Sequence, residues 1–294
     1  MVRRFVASSF FLLAATTARS AEAVPSFLPK NKRRFATATS HALELRGGAG
    51  PIDAETAAKV VGGLAITAGS VFTVGDKFCL KVYDVEGGMS PTDTRFITDH
   101  NLSLLSAGLV MYSLLFRKDI SFNLAMALGN LPWTFRALGN LLNESAKTTG
   151  PSNMGSSIGL AVGAAAMYAG LTDASWASSA FKTSAVFGLA SGLPLFLTPG
   201  KAAKLWGLKG TTGITNGMLT GVGLTLTGLG AFMTSLAWGD DIVTAVGKKV
   251  IVDALGGIKA MYFSPEWASI GVSKAAVYFW LIIEVVAAFS ILVK

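Results

Sequence analysis

The sequence predicts an all-α membrane protein: a polytopic bundle of about eight transmembrane helices, built as two parallel four-helix repeats. Three observations predict it. Hydrophobic residues fill 51% of the 294 positions and charged residues 14%, with a mean hydropathy of +0.53, whereas soluble domains carry about a quarter charged residues. Apolar runs recur at the length that crosses a hydrocarbon core, about 20 residues. The second half of the chain also repeats features of the first.

The first element is an address. Arg3 and Arg4 precede an apolar run from Phe5 to Ala15, and Ala21-Glu22-Ala23 places small residues around a cleavage point, the layout of a secretory signal too short to span a bilayer. From Lys30 to Arg46 five basic residues stand against one acid, Glu44, beside the hydroxyl-rich Thr37-Ala38-Thr39-Ser40. That is transit-peptide chemistry. Between the two lies Val24-Pro25-Ser26-Phe27-Leu28-Pro29. A signal, then a phenylalanine, then a transit segment resembles the bipartite plastid presequence of diatoms and related algae, with Phe27 in the key position. Pro25 and Leu28 depart from the pattern, and the resemblance covers residues 1–46 only. It implies a targeting presequence over residues 1–50 and residence in a plastid membrane, envelope or thylakoid, of a secondary-plastid alga. Without the resemblance, the same residues read as a secretory signal with a basic tail, which points to the endomembrane system.

Eight apolar runs follow Pro51, at about 56–74, 101–116, 120–142, 154–172, 182–198, 213–238, 241–262 and 274–293. The sixth carries no charge between Thr211 and Gly239, and the eighth only Glu284 between Ala275 and Val293. The third holds Pro132 and Arg136, and the seventh Lys248, Lys249, Asp253 and Lys259, compositions that also suit an interfacial amphipathic helix. The connection from Gly75 to Asn101 mixes both charge signs, and Asp99 reads there as the N-cap of the second span. Gly155, Gly159 and Gly163, like Gly188 and Gly192, recur every four residues, a spacing that brings helix backbones together within one chain.

The repeat units are residues 51–175 and 176–294. Gly108, Met111, Ser113, Leu114, Asp119 and Ile120 recur as Gly230, Met233, Ser235, Leu236, Asp241 and Ile242, each 122 positions later. Tyr83 faces Trp206 at a spacing of 123, and Gly75 faces Gly200 at 125. Four spans per repeat bring both repeats into the membrane from the same side, so they are parallel, about an axis along the membrane normal. The third and seventh spans, the most polar of each repeat, are then expected at the bundle centre. One side collects Lys77, Lys81, Arg95, Lys147, Lys201, Lys204, Lys209 and Lys274, and the other Arg117, Lys118, Lys182 and Lys294. Basic loops stay in the cytosol-like compartment, so the first set faces it.

The net charge of +8 and pI of about 9.6 do not imply nucleic acid. Arg3, Arg4, Lys32, Arg33 and Arg34 lie in the presequence and most other bases in connections, so the expected partner is the lipid bilayer. Cys79 is the sole cysteine, which excludes an intramolecular disulfide and a cysteine-built metal centre. His41 and His100 are the only histidines, too few for di-iron clusters or paired-histidine haem. No cofactor or metal is expected. Without a Walker loop, GxSxG elbow, HExxH or paired CxxC, no catalytic residue is assigned and the protein is expected not to be an enzyme.

What remains is polar chemistry inside apolar segments. An ionised Glu284 at mid-span costs roughly 2.5–3.5 kcal/mol unless it pairs, faces protein or takes a proton. Asn123 and Asn130 share one helical face, while Arg136, Asn140 and Asn143 share another beyond Pro132. Arg136 reads as snorkelling to the interface. Lys249 and Asp253, four apart, can neutralise each other. Glu284, Asn123, Asn130, Arg136, Asp253 and Lys249 thus form a candidate intramembrane path for a small solute or ion, in a carrier or channel. Two other classes stay open. One is a structural or assembly subunit that contacts other subunits of a plastid membrane complex; the other is a membrane enzyme acting on lipid or pigment through Asp99, His100, Asp253 and Glu284.

Overall fold

A backbone that cannot reach water must satisfy its polar groups within its own segment, which makes apolar runs helical. The computed structural model describes residues 52–83, 91–117, 119–143, 152–208, 213–268 and 270–293; the predicted presequence lies outside them. The helices are α1 Ala54–Val74, α2 Asp76–Val82, α3 Pro91–Phe116, α4 Phe122–Leu142, α5 Asn153–Leu171, α6 Ala177–Leu197, α7 Pro199–Leu205, α8 Gly213–Ala237, α9 Ile242–Phe263, α10 Pro265–Ala268 and α11 Lys274–Leu292. No strand occurs among the described residues.

Among the described residues, five helices, α1, α5, α6, α8 and α11, are long and apolar enough to cross a membrane, with mean hydropathies from 1.4 to 2.2. The other three long helices, α3, α4 and α9, have 26, 21 and 22 residues but a more polar composition. α3 starts at Pro91 rather than near residue 101, taking Asp93, Arg95, Asp99 and His100 into the helix. Asp99 therefore does not cap the second span, as its charge at the edge of the apolar run suggested. α6 likewise begins at Ala177 instead of 182. α4 runs unbroken through Pro132.

Among the described residues, four helix starts carry side-chain caps. Asp53 accepts from the Thr56 N–H and Asp241 from the Thr244 N–H, both at 2.9 Å. Ser121 accepts from Leu124 and Ser152 from Gly155, both at 3.2 Å. Each such cap stabilises its helix by about 1 kcal/mol.

The short connections fold each long helix back on its predecessor. α1 lies along α3 and α6 along α8; α4 packs on α5 and α9 on α11; α3 meets α4 and α8 meets α9. The two groups of four meet chiefly through α3 with α8, α1 with α11, and α5 with α6, with smaller contacts of α9 on α1 and α3 and of α4 on α6. Each group thus reproduces the pairing order of the other, and residues 47–294 form one compact unit.

The centre differs from expectation. α8 has 83% of its most apolar stretch buried, against 17% for α11, and it touches α3, α6 and α9. The middle is therefore α8 with α3, and the more polar α4 and α9 flank them. Small residues decide this, because van der Waals contact drives helix association in lipid. A Cβ on Gly223 or Gly230 of α8 would land within 3.0 Å of the α6 backbone at Leu195 or Leu189, and one on Gly192 of α6 equally close to Thr227. Gly69 and Gly108 give α1 and α3 the same intimacy at Leu105 and Ile66. The hydroxyls of Thr220, Thr225 and Thr227 bond carbonyls one turn earlier in α8, so they need no partner on another helix.

Candidate functional site

Two cavities between the described helices gather some of their polar residues. The first, about 170 Å³, lies between α1, α3, α8, α9 and α11. α2 and α10 cover one end with Cys79, Tyr83 and Trp267, and the Ser273 N–H latches that end to the Tyr83 carbonyl at 2.9 Å. Its walls are mainly apolar, including Val61, Leu104, Leu224 and Val250, and into them project His100, Lys249, Asp253 and Glu284.

Each polar group has a defined position. His100 Nδ1 lies 3.2 Å from the Gly221 carbonyl oxygen. A carbonyl only accepts, so Nδ1 carries a hydrogen and donates it. Lys249 and Asp253 sit one turn apart on α9, are 4% and 6% exposed, and form a hydrogen-bonded ion pair. Buried charges of this kind persist only when paired. The second carboxylate oxygen of Asp253, Oδ1, has no hydrogen-bond partner. Gly228 makes room for it, because a Cβ there would collide with the carboxylate.

Glu284 is half-buried on α11 and makes no hydrogen bond or ion pair with the described residues, though it lies within electrostatic reach of Asp253 and Lys249. With both acids ionised the cavity holds one positive and two negative groups. One proton or one monovalent cation therefore neutralises it. At the covered end the Trp280 indole donates to the Tyr83 phenol, and burial pushes that phenol above its ordinary range, so it stays protonated.

The second cavity, about 130 Å³, lies between α4, α5, α6 and α8, with Trp206 at one end. Asn130 donates to the Met126 carbonyl at 2.9 Å and accepts from Ser184. Arg136 does not snorkel: its Nε forms an ion pair with Asp99 at 2.5 Å, and Nη2 donates to the Arg95 carbonyl at 3.4 Å. Arg95 in turn donates to Asn140 at 2.6 Å. Because α3 is helical at residue 99, it presents a carboxylate to α4, and a paired guanidinium has no reason to reach for the interface. The Trp133 Nε1 and Ser156 Oγ atoms are buried without a hydrogen-bond partner.

Of the six residues proposed from sequence, Glu284, Lys249 and Asp253 share the first cavity, and Asn130 and Arg136 share the second. Asn123 belongs to neither. It lies in the first turn of α4 and donates to Asp173 at 2.8 Å on the exposed rim. The sequence offered His100 only as an acid or base of the enzyme reading and gave Tyr83 no part in a site, since both fall where a connecting loop was expected; the helical spacing of Phe96, Ile97 and Leu104 is the signal that places His100 on the cavity wall. Among the described residues no three His, Cys, Asp or Glu side chains are grouped to hold a metal ion. No protein-family model, no curated protein and no solved structure matches this chain, so function is argued from the chemistry of the two cavities.

Proposed function

We propose that the protein is a non-enzymatic carrier or channel that moves a small cation, or a small solute together with a proton, and that Glu284 is the exchanging group. The observation that carries this reading is the meeting of a carboxylate with no hydrogen-bond partner among the described residues, a buried Lys249–Asp253 pair and the His100 imidazole in one cavity inside apolar helices. Intramembrane acids are expensive and mark ion or proton paths. The Lys249–Asp253 pair holds its own charges fixed, which leaves Glu284 as the acid free to bind and release.

In this reading all eight long helices cross the membrane. The charges of α9 support it, because each is accounted for within the protein: Lys248 pairs with Asp240 at 2.5 Å, Lys259 donates to the Phe196 carbonyl at 3.1 Å, and Lys249 pairs with Asp253. The presequence resemblance and the basic loops add a plastid membrane, with residues such as Lys201 and Lys204 on the stromal side.

The mature chain in lipid vesicles with a trapped pH indicator tests the reading. Proton or alkali-cation flux above that of empty vesicles is expected, falling to background in Glu284→Gln and persisting in Asn123→Ala. Vesicles that pass neither protons, alkali cations nor small neutral solutes overturn it.

A further inference from the structure

We propose that the cavity between α4, α5, α6 and α8 is a second binding site, a diverged duplicate of the Glu284 cavity, and that it takes a small uncharged molecule presenting a carbonyl or hydroxyl oxygen. The proposal rests on the geometry of the two cavities and not on transport through the first.

The walls correspond in register. Asn130, Trp133 and Ala137 of α4 are followed 120 positions later by Val250, Asp253 and Gly257 of α9, and each set lines its own cavity. On the next helix Gly159, Val162 and Gly163 are followed at 121 by Trp280, Ile283 and Glu284. Val61 and Leu64 of α1 are answered at 123 by Ser184 and Phe187 of α6, and Tyr83 by Trp206 at the same spacing.

The close approaches beside the walls repeat too. Gly69 against Leu105 and Gly108 against Ile66 recur as Gly192 against Thr227 and Gly230 against Leu189, shifted by 122 or 123. If an axis relates the halves, it passes between α3 and α8, where equivalent residues must meet. Thr215 donates to Asp93 there at 3.0 Å, and the two are 122 positions apart. Unrelated bundles have no cause to keep wall, contact and axis in one register.

Between the copies the charge has gone. Gly129, Trp133 and Gly163 stand where the first cavity has Lys249, Asp253 and Glu284. Arg136 is held by Asp99, and Asn130 by Ser184. An anion would have to displace Asp99, and a cation would find no free carboxylate. Among the described residues the Trp133 N–H and the Ser156 hydroxyl remain without hydrogen-bond partners, and Ser156 is 4% exposed. Each can donate a hydrogen bond to a ligand oxygen. Val162, Phe187, Leu229 and Met233 make the surroundings apolar. An engineered apolar cavity of about 150 Å³ holds benzene, so the roughly 130 Å³ available here suits about six non-hydrogen atoms.

Cyclopentanone is the probe, with cyclopentane as its counterpart lacking the oxygen, titrated into the purified full chain in nanodiscs and followed by tryptophan fluorescence and melting temperature. Saturable binding of cyclopentanone is expected, at least several-fold tighter than cyclopentane. Gly159→Leu should abolish it by filling the space, since a Cβ at Gly159 makes only ordinary contacts at 3.7 Å or more. Trp133→Phe should remove the preference for the ketone, and Glu284→Gln should leave binding unchanged. No saturable binding by a folded chain, equal affinity for the two probes, or binding that survives Gly159→Leu would each overturn the proposal. None of these outcomes bears on whether Glu284 carries flux.

Discussion

Asp99 and Arg136 belong to different helices and form an ion pair, with Arg95 also within electrostatic reach of Asp99. Removing one carboxylate leaves the guanidinium stranded, which in fully buried pairs costs about 3–5 kcal/mol. The Arg136 side chain keeps 22% exposure, so Asp99→Asn should cost less, about 2–3 kcal/mol, read as a melting point in detergent lower by roughly 5–10 °C. Replacing both residues by leucine should restore most of the loss. An unchanged melting point in the single variant would show that the pair does not hold α3 to α4. The i, i+4 spacing of Lys249 and Asp253 made their pairing legible in the sequence. The partnership of Asp99 and Arg136 was not, because it spans two helices, and each residue alone looks like an ordinary boundary feature, a cap or a snorkelling base.

Among the elements, α8 was the easiest to find and the hardest to place. Its uncharged length marks a span, and nothing in hydropathy distinguishes a lipid-facing helix from a buried one. The distinction lies in glycine and threonine, which allow close approach and satisfy their own hydroxyls. Polarity misled in the other direction: α4 and α9 were expected at the centre because they carry charge, yet paired charges can sit at a flank. The glycines make this testable. Gly223→Ala sets a Cβ against the α6 backbone at Phe196 and should destabilise by about 3 kcal/mol, at the upper end for overpacking. Gly63→Ala in α1 meets nothing within 4 Å and should be neutral or stabilising by up to about 1 kcal/mol through helix propensity. Equal effects on the thermal midpoint would mean that backbone proximity does not organise the bundle.

For the whole molecule, the all-helical class and the positions of the apolar helices were legible because lipid forces every apolar run into the same element, whereas which helix packs on which was not. The sites were legible only in part. Charge inside an apolar run is visible in sequence, but which charges share a cavity depends on how α9 and α11 are rotated, and nothing local to either segment sets that rotation. The eight-span reading has its own check at α9, the most charged helix. In a Cys79→Ala background, cysteines at Trp238 and Ala268, both exposed and beyond opposite ends of α9 or its short continuation, should react with a membrane-impermeant maleimide from opposite faces of sealed vesicles. Labelling of both from one face would make α9 interfacial.

The most direct measurement is charge movement itself. Vesicles adsorbed on a solid-supported electrode should give transient currents on a proton or alkali-cation concentration jump with the native chain, and none with Glu284→Gln at equal protein loading. Identical transients from both would mean that Glu284 is not the exchanging group.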